Sequence, residues 1–135
     1  MENNKPFFDE KFGKDYKVKF KFEKLTIWRQ SMRFGEEVYE MTKSFPKEEM
    51  YSLTSQFRRS SDSVALNIAE GCIGQSNLEQ RKFTGYSIRS LAEAITCLYK
   101  AYLRNYISKK QFEELYDDAF YLMNATNAFK NSIKI

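Results

Sequence analysis

The 135 residues carry 22 Lys and Arg against 18 Asp and Glu, a net charge of +4, with 16% aromatic residues and no histidine. This length gives one domain that can bury a core without staples, and the missing histidines exclude His-based triads, HExxH zinc sites and Glu-x-x-His di-iron ligands. Five Gly and two Pro are too few to turn a many-stranded sandwich or barrel and suit long helices.

Residues 1–22 differ from the rest. Phe7, Phe8, Phe12 and Tyr16 punctuate a charged stretch, and Val18 to Phe22 (VKFKF) alternates with period two, as an extended segment does. The first 24 residues hold seven Lys against five acids. The pattern predicts a flexible basic arm over 1–22 ahead of a folded domain over 23–135. The opening MENNKPFFDEKFGKDYK has no apolar segment of a secretory type, and no apolar run nears the ~20 residues of a bilayer span. The expected location is the cytoplasm, without membrane contact.

From Leu25 the pattern turns helical. Leu25, Trp28, Met32, Gly35 and Tyr39 form one stripe, with Ile27, Phe34, Val38 and Met41 beside it. Phe45-Pro46 breaks this helix, and Pro46 suits the first turn of the next, with Glu48 and Glu49 at its positive end. That second helix runs along Leu53, Phe57, Ser60, Val64 and Ile68 to about Cys72, where Gly71 and Gly74 can end it. Ser76 with Glu79 is a capping-box pattern opening a third helix, striped by Phe83, Ile88, Leu91, Ile95, Leu98 and Tyr102 to about Tyr106. Ser108 with Gln111 opens a fourth, through Phe112, Leu115, Ala119, Leu122, Thr126, Phe129 and Ile133. Short connections predict an all-α chain: an antiparallel up-down-up-down four-helix bundle with an N-terminal extended arm. Tyr86, Tyr99, Tyr102, Tyr106, Tyr116 and Tyr121 exceed what one bundle interior holds, which points to a second buried surface between subunits.

Few residues carry chemistry. Cys72 and Cys97 stand alone, without a CxxC pair, and read as small buried apolar residues. The neighbours Glu36/Glu37, Glu48/Glu49, Glu113/Glu114 and Asp117/Asp118 diverge by about 100° on a helix, so no adjacent pair converges as an acid–base dyad, and solvated faces are expected. Gly71 to Gly74 matches GxxG, but a KH clamp needs a sheet that the pattern lacks. No phosphate-loop or dinucleotide fingerprint occurs, so no cofactor is expected.

The stretch QFRRSSDSVALNIAEG (Gln56 to Gly71) is the most informative. Arg58 and Arg59 lie within helical pairing reach of Asp62, while Asn67 and Glu70 share a face beside Val64 and Ile68. Small residues keep the helix slim, and a carboxylate on such a seam needs a cation; Arg58, Arg59 or Arg89 can supply it. The expected arrangement is a structural polar network of Arg58, Arg59, Asp62, Asn67, Glu70 and Arg89. A nucleic-acid surface is the alternative. Arg81, Lys82, Lys17, Lys19 and Lys21 are the candidate contacts for such a ligand.

Leu25 to Trp28 (LTIW), Phe45 to Ser60 (FPKEEMYSLTSQFRRS), Asn67 to Gly71 (NIAEG) and Ser90 to Glu93 (SLAE) resemble, in order and spacing, the four-helix-bundle family of 23S ribosomal RNA intervening-sequence proteins. That family is also called the S23 ribosomal protein family, and the resemblance covers roughly residues 22–134. It implies a four-helix bundle in a closed homo-oligomeric ring, typically a pentamer, and no enzymatic activity. The fold is shared with the accessory protein of diversity-generating retroelements, a basic pentamer that engages reverse transcriptase and nucleic acid. Ala65 stands where members often have Pro, and Arg89 where they often have Gly. The expected function is therefore a non-enzymatic scaffold binding RNA or DNA. The rival is a protein-binding adaptor, such as a polymerase accessory protein, which would leave an apolar patch uncovered.

Overall fold

The structure is a computed structural model and describes residues 7–74 and 76–135; residues 1–6 of the expected arm lie outside them. The described residues form helices and irregular connections without a strand. Four long helices carry the fold: α2 (Thr26–Thr42), α3 (Leu53–Gly71), α4 (Asn77–Leu103) and α5 (Lys109–Ser132), preceded by a short α1 (Phe7–Phe12). Helix α3 packs on α2 and α4, and α5 packs on α4 and α2. The four thus close around one core, which includes Phe34, Val38, Phe57, Val64, Ile68, Leu91, Leu98 and Leu122.

Local chemistry explains the helix ends. Ser76 Oγ accepts the Glu79 N–H at 3.0 Å, and Ser108 with Gln111 makes a full reciprocal box at 2.8 and 3.1 Å. The third predicted stripe runs to Tyr106, but α4 stops at Leu103. Asn105 takes φ +63°, and the Asn105 and Tyr106 amides return to the Tyr102 and Ala101 carbonyls at 2.9 Å each. This is a Schellman closure with Asn in the left-handed position.

The second predicted helix also differs in its start. Pro46 does not open α3; it precedes a separate 3-10 turn, Lys47–Glu49, and Ser52 at φ −131°, ψ −107° breaks the chain before Leu53. Ala65 is buried within an unbroken α3.

Residues 7–24 are not extended throughout. After α1, a 3-10 turn spans Lys21–Lys24, and VKFKF is no strand because it has no partner edge to pair with. Aromatic packing holds this segment on α2. The Phe8 and Phe22 rings lie 5.6 and 5.2 Å from that of Trp28, and the Arg29 guanidinium sits 4.8 Å from the Phe8 ring.

Candidate nucleic-acid interface

The N-terminal half of α4 and the C-terminal half of α5 border an open groove of ≈ 720 Å³. Arg81, Lys82 and Arg89 stand on the α4 bank and Lys130 on the α5 bank, while no Asp or Glu lines it. None of the four closes an ion pair among the described residues. Leu78, Gly85, Tyr86 and Ile88 are the apolar and aromatic lining. Lys130 lies against Gly85: a Cβ there would come into ordinary van der Waals contact with the Lys130 Cε, at 3.6 Å. The stem of Lys130 therefore lies over α4 at Gly85 and carries its ammonium to the groove.

Of the five residues predicted for nucleic acid, Arg81 and Lys82 line this groove. Lys21 lines a neighbouring hollow at the start of α4, with Asn77, Gln80, Ser132 and Lys134. Lys17 and Lys19 are exposed and line neither. Lys130 was not singled out from the sequence. It lies 48 residues from Lys82, and only the packing of α5 on α4 brings the two together.

The six-residue polar network does not form as expected. Arg58 donates Nε–H to Thr42 Oγ1 at 2.7 Å, with its guanidinium 4.7 Å from the Tyr39 ring. It thus ties α3 to α2. Asp62 is exposed over Gly35 of α2; its carboxyl is pushed above the usual range by partial burial and by Glu36, against the pull of Arg58. Asn67 donates to the Ser63 carbonyl and hydroxyl at 2.9 Å each, and Ser90 reaches the same hydroxyl at 2.9 Å. Arg59 and Glu70 are exposed, and Glu70 has no ion-pair partner among the described residues. Arg89 is exposed on the basic groove, 5.8 Å from the Tyr86 ring.

Neutral hydroxyls hold the α3–α4 seam instead: Ser87 Oγ donates to the Val64 carbonyl at 2.8 Å. A hydroxyl reaches a backbone carbonyl at close helix approach without the desolvation cost of a buried ion.

Two of the carboxylates expected on solvated faces are not there. Glu49 is buried: it accepts from Arg104 Nη1 at 2.9 Å, Tyr106 Oη at 2.6 Å and the Leu53 N–H at 3.3 Å. The Tyr106 hydrogen bond leads in holding its carboxyl below the ordinary value. Glu37 of α2 meets Asp118 of α5, with Arg33 3.2 Å away on its own helix. Burial first, and Asp118 next, raise its carboxyl to about 7. Adjacency in the sequence does not reveal this pair, because the two carboxylates come from different doublets on different helices.

Residues 23–128 match the 23S rRNA-intervening sequence protein family. The chain belongs to that family. A crystal structure of a protein of unknown function from the S23 ribosomal protein family, from Bacteroides thetaiotaomicron VPI-5482, is similar, with a TM-score of 0.73. That likeness spans 78% of this chain and 99% of the other at 18% identity, so it shows a shared fold. No curated protein matches the chain. The family match begins at Glu23, so the aromatic segment that packs on Trp28 lies largely outside it.

Proposed function

We propose that this family member is a non-enzymatic scaffold of the cytoplasm, built as an antiparallel up-down-up-down four-helix bundle, that assembles with copies of itself and binds RNA or DNA. The observation that carries the reading is the α4–α5 groove, with cations on both banks and no Asp or Glu lining it. A polyanion is its complement, since each phosphate neutralised by Lys or Arg releases condensed counterions. A ring of copies would repeat the groove, and repeated weak contacts gain from effective concentration. No cofactor and no membrane contact enter this reading.

Fluorescence anisotropy with a structured RNA and with duplex DNA, each at two salt concentrations, tests it. The expected log K falls with log salt at roughly 0.9 per phosphate contact for duplex and about 0.7 for single strands. Arg81→Gln with Lys82→Gln lowers both affinity and slope. Absent binding at low salt, or binding indifferent to charge and salt, defeats the reading.

One observation favours the adaptor alternative. On the α2–α3 side, Phe22, Trp28, Met32, Ala65 and Leu66 border an apolar groove of ≈ 480 Å³ edged by Glu36 and Asp62. Leu66 is 67% exposed there. Protein capture abolished by Leu66→Asp, in a protein that binds no nucleic acid, would decide for the adaptor.

A further inference from the structure

We propose that the α4–α5 groove takes single-stranded nucleic acid, with the sugar-phosphate chain on the cationic banks and bases against its apolar, aromatic lining. The inference rests on the nucleic-acid reading above and specifies the ligand class. It follows from how charge and apolar surface are distributed within one groove.

Arg81 and Arg89 lie eight residues apart on α4, about 12 Å along the helix axis. Lys130 faces them from α5. The cations thus follow the length of a channel and stand on both of its sides. Beside them are Leu78, Gly85 and Ile88, whose side chains offer a phosphate no donor, and Tyr86, whose hydroxyl can donate but whose ring face cannot. A duplex keeps its base faces stacked inside and presents its phosphates to a protein surface. Against this groove it would satisfy the banks and leave the lining against water or charge. A single strand has base faces to spare. They stack on aromatic rings and cover apolar surface without regard to sequence, because every base has a π-face. The Tyr86 ring is half-buried, packs edge-on against Phe83 at 5.4 Å, and has the Arg89 guanidinium 5.8 Å from its centre. A ring fixed in this way, with a cation at hand, is a stacking platform beside a phosphate contact. The missing side chain at Gly85 leaves depth in the channel where only the Lys130 stem intervenes.

The test titrates labelled oligo-dT, oligo-U and a mixed-sequence duplex of equal length at low salt, comparing the native chain with three variants. The native chain is expected to bind the single strands more tightly than the duplex. Tyr86→Ala should lose about fivefold or more in single-strand affinity, the lower end for one stacked base, with duplex binding little changed. Arg81→Gln with Lys82→Gln should weaken every probe. Should Tyr86→Ala not fold, Gly85→Leu decides. It adds a helix-favouring side chain and fills the channel without removing a charge. It crowds the Lys130 stem, but that flexible ammonium can still reach a phosphate, so the expected loss is larger for single strands than for duplex. If the native chain binds no probe, the nucleic-acid reading itself falls. If duplex binds as well as the single strands, or neither Tyr86→Ala nor Gly85→Leu affects single strands selectively, only the single-strand inference is overturned.

Discussion

Glu49 shows how much one side chain can join in this protein. It caps the first turn of α3 through the Leu53 N–H and takes Arg104 and Tyr106 from the α4–α5 connection. Its loss leaves those donors without an acceptor, so Glu49→Ala should lower Tm more than Tyr106→Phe, which removes one bond of the set. Because its folded pKa is depressed, the stabilisation is present above the unfolded value and is lost as pH falls through the folded one. Glu37 has the opposite sign. Its folded value near 7 exceeds the ordinary 4.5, so the folded state holds a proton that the unfolded chain has released. Stability should decline as pH rises from about 4.5 to about 7, and Glu37→Gln should flatten that limb in thermal melts at stepped pH. An unchanged limb would show that burial does not raise the Glu37 carboxyl to about 7. Neither role is visible in the sequence: a Glu on a helix looks the same whether it meets water or another helix.

Among the elements, the starts were more legible than the contacts. Ser76 and Ser108 cap α4 and α5 as their spacing indicates, since a cap is a local bond three residues long. The start of α3 departs from the expectation because Pro46 accommodates a 3-10 turn as readily as an α-turn, and the 3-10 turn that forms holds Glu49 bonded to Leu53, Arg104 and Tyr106. Close approaches between helices give a sharper prediction. A Cβ at Gly71 would meet the Phe83 Cβ at 3.1 Å and the Gln80 carbonyl oxygen at 3.2 Å, whereas one at Gly35 would meet the Asp62 carboxylate at 3.0 Å. Backbone and Cβ atoms cannot swing aside, so Gly71→Ala should destabilise by about 1–3 kcal/mol. An exposed Asp side chain can move. Gly35→Ala should come out near neutral, the shift of Asp62 offsetting a helix-propensity gain of about 1 kcal/mol. Paired denaturant melts check the order, and a larger loss at Gly35 would mean that Asp62 is held in place.

At the scale of the whole molecule, Tyr99, Leu103, Tyr116 and Phe120 remain exposed on α4 and α5 at 45%, 75%, 38% and 55%. Helical spacing puts them along one side of that pair. Light scattering or native mass measurement should therefore give a multiple of the 16.0 kDa chain, five being the number expected from the family resemblance. A monomer at micromolar concentration would contradict it. The sequence by itself determined the all-α class, the four long helical segments, most of the core stripes and the family, because helical periodicity and capping are read within a few residues. It also indicated Arg81 and Lys82, whose charge is visible wherever they stand. Only the tertiary structure decided that Lys130 completes their groove, that Glu70 faces solvent, that Glu49 is buried and that Glu37 meets Asp118. Each of those depends on which faces of separate helices come together, and that is set by packing over the whole core rather than by any neighbouring residue.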